Sequence, residues 1–553
     1  MMFLIQEEKN KMNNLNLLKI ENLKMHINTY DGVVKAVDGV DLEVKTGEIV
    51  GIVGESGSGK SLTSRTILKL LPEGGKIISG KVKFQDQDLL SLSEQDLRKI
   101  RGSKISFIFQ NPSTFLNPVL KVGDQIAENI ILHQNKKKNE INEIVINSLN
   151  DVGLRNPDKI INCYPHQLSG GMQQRVMIAM AISCKPDLII ADECTTALDV
   201  TTQLQILNLL KEISSKIKTA ILLITHNLAV VAYLCSRVYV MYGGKTIENA
   251  ESRMLFSNPQ KTYTKNLLNS SKQFLDINNQ TGLNQKKILE IDKINKDFEL
   301  PGSKKLLRAV KNLSLDLMEG EIFGIAGESG SGKTTVANLL MGLMELSSGK
   351  ITFLNKEINS FLKKDRKLFR KNIQMVFQDP YGSLNPRKTI GNSLSLAIKI
   401  HFKLNEEETK RRVYELLEMV ELTPPETFYD RHPHELSGGQ QQRIAIARAI
   451  STSPKLIITD EAVASLDMSI RSEILKLLKK INSETKVTMI MISHDLSILK
   501  NMCKRIAIMY LGEIVEIGMK NEIFNNPKHK YTKKLISATL DIPNQEEKNG
   551  KSN

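Results

Sequence analysis

The chain has 553 residues, more than one hydrophobic core can organise, so length alone predicts two to four domains. Apolar content of 41% and charged content of 25% are ordinary for globular protein, so each domain can bury a real core. The formal charge of +15 suits an anionic membrane face or a polyanionic ligand. No Arg/Lys run interleaves with aromatic residues, so no nucleic-acid partner is expected. The scattered Cys163, Cys184, Cys194, Cys235 and Cys503 form no CxxC pair or other metal-ligand spacing and read as reduced thiols.

In chain order, residues 1–15 read as a tail, because their apolar start is too short for a signal-peptide core. EIVGIV (48–53) has the length and composition of a buried strand. It feeds a glycine loop, GESGSGKS (54–61), and then a helical pattern beginning SLTSRTILKLL. FQNPSTFLNP (109–118) follows, and then a basic run at Lys136–Lys138 that reads as a solvated helix face. YPHQLSGGMQQRVMIAMAIS (164–183) precedes two further buried-strand runs. DLIIA ends at Asp192–Glu193, and TAILLIT ends at Thr225–His226. AILLIT and LAVVAYL are separated by His226 and Asn227, so no run reaches the roughly 18–20 apolar residues of a membrane span.

The same order then repeats. GESGSGKT (327–334), FQDPYGSLNP (377–386), HPHELSGGQQQRIAIARAIS (432–451), LIITDE and ISHDL match their counterparts in turn. The lysines of the two glycine loops are 333 − 60 = 273 residues apart, whereas Gln110 and Gln378, and likewise His226 and His494, are 268 apart. A five-residue length difference therefore lies between loop and glutamine, and the duplication is of whole domains. The polar, aperiodic stretch 273–287 reads as the linker and 541–553 as a loose tail, leaving domains at 16–272 and 288–540.

GxxxxGK[ST] lets backbone N–H groups turn inward around phosphates, with a helix N-terminus behind them. The candidate phosphate-binding residues are Gly54, Glu55, Ser56, Gly57, Ser58, Gly59, Lys60, Ser61 and Leu62, and in the second half Gly327, Glu328, Ser329, Gly330, Ser331, Gly332, Lys333, Thr334 and Thr335. Lys60 and Lys333 are expected to reach the β- and γ-phosphates of ATP, and Ser61 and Thr334 to hold Mg²⁺. Asp192 and Asp460 end buried runs, where a carboxylate needs a cation or donors, and Mg²⁺ is the natural partner. Glu193 and Glu461 come next and are expected to polarise the attacking water. His226 and His494, at one common offset, are expected to contact the γ-phosphate.

LSGGM (168–172) and LSGGQ (436–440) resemble the signature of ATP-binding cassette (ABC) ATPases, and seven motifs fall in that family's order in each half. The resemblance implies an α/β fold: two tandem P-loop NTPase domains, each with a mostly parallel sheet core, an antiparallel β part and a helical signature subdomain. It matches Gln110 and Gln378 to the Q-loop glutamine, a catalytic and metal-binding position, and Asp199 and Asp467 to the D-loop. It implies that Ser169, Gly170 and Gly171, and Ser437, Gly438 and Gly439, meet the nucleotide of the opposite cassette. The cassettes would then pair head-to-tail within one chain, Lys60 with Ser437 and Lys333 with Ser169. Tyr30 is the candidate for adenine stacking in the first half, with only Phe298 near that place in the second. Met172 replaces the usual signature Gln, Cys194 and Ala462 stand where Pro is typical, and Val463 stands where Thr is common.

FSNPQKTYTKNLL (256–268) and FNNPKHKYTKKLI (524–536) resemble the tail of ATPases that drive peptide and nickel importers, departing from it at Lys261–Thr262 and Lys530. By that resemblance the chain is the fused ATPase of a dipeptide, oligopeptide, glutathione or nickel-class importer. It would work with two membrane permeases and, indirectly, an extracytoplasmic substrate-binding protein, as a peripheral protein on the cytoplasmic face of the inner membrane. Two-cassette translation factors carry a long charged linker, and DNA-repair ATPases carry coiled coils or zinc-binding cysteines; neither is present. A sugar-type importer is a nearer alternative, but its halves usually diverge at catalytic positions.

Overall fold

The computed structural model describes residues 16–30, 32–196, 198–272, 286–299, 306–464 and 466–542. These fall into two compact units, the first built mainly from residues up to 269 and the second mainly from 286 to 539. Of the expected linker 273–287, residues 273–285 lie outside the described set, and Lys287 already opens a strand. The expected tail 1–15 and all but the first two residues of 541–553 also lie outside it.

In the first unit a six-stranded sheet runs in the order Lys245–Glu251, Arg237–Tyr242, Ile49–Val53, Ala220–Ile224, Leu188–Asp192, Ile105–Ile108. All neighbours are parallel except the antiparallel edge pair Arg237–Tyr242 with Lys245–Glu251. The central strands are buried on both faces, which is why they read as unbroken apolar runs rather than alternating ones. A separate antiparallel sheet orders Gly32–Lys45, Asn16–Thr29, Gly75–Phe84 and Gln87–Asp88. The second unit repeats the plan. Its main sheet runs Ile373–Val376, Leu456–Asp460, Thr488–Ser493, Ile322–Ala326, Arg505–Tyr510, Glu513–Met519. Its antiparallel sheet runs Leu306–Met318, Lys287–Glu299, Ser348–Phe353, Lys356–Glu357.

Two cores build each unit. In the first, Leu18, Val37, Ile52, Val82 and Ile190 join the two sheets on one side. On the other, Ile126, Val145, Leu149 and Val176 pack three helices (Val122–His133, Lys138–Asp151, Gly170–Ile182) against the main sheet. The basic run lies exposed where the second of these helices begins, and Lys136 pairs with Glu140 at 3.2 Å. Among the described residues no helix is long and apolar enough to cross a membrane.

The five-residue difference between the halves now has a location. Phe84 and Phe353 occupy the same register opposite Leu18 and Leu289. They are 353 − 84 = 269 residues apart, so four of the five residues are lost between the glycine-loop helix and this strand. The first unit spends them lengthening the ladder between Asn16–Thr29 and Gly75–Phe84: Gly75, Lys76 and Ile77 pair with Ile27, His26 and Met25, whereas pairing in the second unit stops at Asn295 with Ser348.

Candidate active site

Each glycine loop leaves the end of a central strand and enters a helix, Lys60–Ile67 or Lys333–Leu340. Gly59 and Gly332 cap these helices in the left-handed region, at φ 95° and 101°. A β-carbon on either would overlap a backbone carbonyl oxygen, of Ala36 or Ala309, so both backbone angle and space require glycine. Gly57 and Gly330, also at positive φ, would meet nothing within 4 Å; that side of the loop is open.

The lysines are buried and fold back over their own loops. Lys60 Nζ donates to the carbonyls of Gly54 and Glu55, both at 2.8 Å. Lys333 Nζ donates to Gly327 at 2.8 Å and Glu328 at 2.7 Å. Burial pulls the Lys333 ammonium below the ordinary lysine range, against the attraction of Glu461 and Asp460. Leu62 and Thr335 lie in the first turn of the following helices, while Ser56 and Ser329 lie on the exposed part of the loops.

The sequence places Asp192 and Asp460 at the ends of buried strands, and there they are. Ser61 Oγ donates to Asp192 Oδ1 at 2.9 Å. Burial pushes both carboxyls above the usual aspartate range, with the hydroxyls of Ser61 and Thr334 opposing. Asp460 Oδ1 is buried with no hydrogen-bond partner among the described residues. A desolvated carboxylate oxygen left unpaired beside a hydroxyl is the donor set a hard cation such as Mg²⁺ takes, so the residues fit that ion.

Glu193 and Glu461 take left-handed backbone angles, φ 47° and 48°, which is strained for a residue with a β-carbon. Their N–H groups donate to the neighbouring strand, at Ile224 (2.8 Å) and Ile492 (3.0 Å), which holds the turn. Each carboxylate meets a glutamine and a histidine, and Glu193 Oε2 also accepts from Thr196 Oγ1 at 3.5 Å. Gln110 Nε2 reaches Glu193 at 2.6 Å and Gln378 Nε2 reaches Glu461 at 3.3 Å. His226 Nδ1 and His494 Nδ1 stand 3.0 Å from the other oxygen in each unit. Burial pushes these glutamates up, but the histidine bonds and the nearby lysines outweigh it and hold them below the ordinary carboxylate range. The structure thus joins Gln, Glu and His into one constellation per unit.

Other expected residues lie further out. Ser169 and Ser437 cap the helices Gly170–Ile182 and Gly438–Ile450, accepting from Met172 and Gln440 at 3.4 Å, and among the described residues their hydrogen bonds stay within those helix starts. Gly171 packs against Thr202 and Gly439 against Ile470 in close contact, whereas Gly170 and Gly438 face open space. Asp199 accepts from Thr201 Oγ1 at 3.0 Å, and Asp467 starts the helix Met468–Thr485. Tyr30 stands fully exposed at the hairpin turn, and Phe298 lies under Lys296 Nζ, 5.2 Å from its ring centre. All five cysteines are free thiols, and burial pushes that of Cys194 up to about 12.

One contact was not anticipated from the motifs. Tyr263 and Tyr531, in the two copies of the C-terminal segment, reach the glycine loops: Glu55 N donates to Tyr263 Oη at 3.3 Å and Glu328 N to Tyr531 Oη at 3.1 Å. Recurrence of the YT pair was the available signal, but a role for it needed the contact.

A family model described as ABC transporter matches residues 37–196 and again 310–464. A second, described as oligopeptide/dipeptide transporter C-terminal region, matches residues 515–552, the later copy of the tail. The chain is 40% identical over 558 positions to the glutathione import ATP-binding protein GsiA of Escherichia coli O157:H7, covering 95% of this chain and 89% of that protein. The figures are the same for the protein of that name from Shigella dysenteriae serotype 1. Among solved structures, the dimeric post-hydrolysis ATP-binding cassette MJ0796 bound to ADP and Pi is 32% identical, covers 42% of this chain and 99% of its own, and gives a TM-score of 0.39.

Proposed function

The chain belongs to the ABC transporter family, and from that membership we propose that both of its units hydrolyse ATP to energise import of a peptide-class solute, glutathione among them. The observation that carries hydrolysis at both sites is the intact duplication of the Lys–loop, buried Asp and Gln–Glu–His arrangements. The solute class follows from the peptide-transporter C-terminal region and from the relatives named for glutathione import.

In this reading Lys60 and Lys333 bind the phosphates, supported by the inward loop amides and the helix N-termini. Ser61 with Asp192, and Thr334 with Asp460, hold Mg²⁺, with Gln110 and Gln378 at the edge of the site. Mg²⁺ supplies charge neutralisation at the phosphate oxygens. Glu193 and Glu461, ionised, orient water and accept its proton. In the structure Glu193 Oε2 accepts from Gln110 while Oε1 meets His226 and keeps a lone pair for a water. His226 and His494 position the glutamates from Nδ1, leaving Nε2 for the γ-phosphate. Completion of each site by the other half's signature, Ser437 for Lys60 and Ser169 for Lys333, belongs to the same proposal, as do Asp199 and Asp467 beside it. Tyr30 is the proposed adenine contact.

As an import subunit the chain works with membrane permeases. We propose two of them, an extracytoplasmic binding protein acting through them, and a peripheral position at the cytoplasmic face of the inner membrane. The test is co-purification of the E193Q/E461Q chain, trapped with ATP, from its own cells. Two polytopic permeases are the expected companions; a soluble partner such as ribosomal subunits, with no membrane protein, would overturn the import reading.

A further inference from the structure

The C-terminal segment does more than follow the ATPase core. In the first unit Glu248, on the edge strand Lys245–Glu251, accepts the N–H groups of Gln260 (2.7 Å) and Lys261 (3.1 Å), fixing the entry to the helix Thr262–Lys272. In the second unit Glu516 accepts those of Lys528 (2.8 Å) and His529 (3.0 Å) ahead of the helix Lys530–Ser537. Each anchored helix presents a tyrosine in its first turn. Tyr263 lies against Tyr242, ring centres 4.5 Å apart, and Tyr531 stacks on Tyr510 at 4.1 Å. Tyr242 and Tyr510 end the strands that flank the glycine loops.

The target of the hydroxyl is a single peptide group. The Gly54–Glu55 peptide gives its carbonyl to Lys60 Nζ at 2.8 Å and its N–H to Tyr263 Oη at 3.3 Å. The Gly327–Glu328 peptide does the same with Lys333 Nζ at 2.8 Å and Tyr531 Oη at 3.1 Å. A flip of such a peptide rotates ψ of the glycine and φ of the residue after it, and the missing β-carbon eases the glycine's share. A flip here would turn the carbonyl away from the lysine and leave the N–H without its acceptor. Bonds at both ends of one peptide polarise each other and fix its plane.

We propose that Tyr263 and Tyr531 are positioning residues for ATP binding. Each C-terminal segment clamps the first peptide of its own unit's phosphate loop, so that the loop and its lysine are preorganised for the phosphates. The clamp couples the segment that distinguishes this kind of cassette to the nucleotide site, within each unit separately. It rests on reading the glycine loops as the nucleotide sites.

The test uses the full chain with Y263F, Y531F and the double substitution, which keep both ring pairs and remove only the hydroxyl. ADP affinity is measured by calorimetric titration, ATP KM and kcat by steady-state hydrolysis, and the thermal midpoint without nucleotide. Loss of one hydrogen bond predicts ADP Kd and ATP KM raised about three- to tenfold in the double variant, with kcat within about twofold and the midpoint unchanged. Unchanged Kd and KM overturn the clamp and leave ring packing as the tyrosines' role. A midpoint that falls in step with affinity also overturns it, as a structural contribution would. Failure of the unsubstituted chain to bind ADP would instead overturn the nucleotide reading beneath it.

Discussion

Gln110 Nε2 lies 2.6 Å from Glu193 Oε2, while the matching pair Gln378 and Glu461 stands at 3.3 Å. The first is a short charge-assisted bond and the second is at the long limit, so the two units hold the same constellation with different tightness.

The glutamates are expected to carry the proton-accepting step. E193Q with E461Q should lower steady-state ATP hydrolysis roughly 10²–10⁴-fold. Nucleotide binding should persist, because the lysine–loop contacts are untouched. Phosphate release together with nucleotide titration measures both, and normal turnover would remove Glu193 and Glu461 from the chemistry.

The lysines hold their own loops. K60A with K333A removes the bonds to Gly54, Glu55, Gly327 and Glu328, so nucleotide affinity should fall at least about tenfold. Calorimetric titration with ADP checks this, and retained affinity in the double variant would contradict the site as described.

Glycine substitutions should separate folding from binding. G59A places a β-carbon against the Ala36 carbonyl oxygen at φ 95° and should lower stability by at least about 1–3 kcal/mol. G57A meets nothing within 4 Å and should cost less stability while crowding the open face of the loop. Urea unfolding beside ADP titration distinguishes them; equal loss of stability would contradict the packing.

The tail anchors carry a pH dependence of definite sign. Burial raises Glu248, but the N–H groups of Gln260 and Lys261 help outweigh it, so its carboxyl lies below the ordinary glutamate range. Glu516 is lowered in the same way, with the N–H groups of Lys528 and His529 opposing burial. A depressed acid stabilises above its unfolded pKa, and that contribution is lost as pH falls through the folded value. Amide exchange in 260–272 and 528–537 should therefore quicken as pH falls below about 4.5, beyond the intrinsic pH effect. E248Q with E516Q should flatten that excess; an unaltered profile would show that the anchors do not hold the segments.

The glycine loops, the buried strands ending in Asp–Glu and the duplication were legible in the residues because each is written locally. Left-handed glycines, unbroken apolar runs and capping serines act over a few neighbouring positions. The family resemblance carried the pairing of motifs with roles. Only the tertiary structure decided that Gln110 and His226 share one carboxylate, across 83 and 33 residues of chain. It alone brought Tyr263 to Glu55 across 208 residues and Tyr531 to Glu328 across 203. It also assigned four of the five residues of the length difference to a longer ladder between Asn16–Thr29 and Gly75–Phe84. Such contacts depend on which strand ends the sheet order sets side by side, and periodicity and composition do not encode that order; long-range packing of the buried cores does.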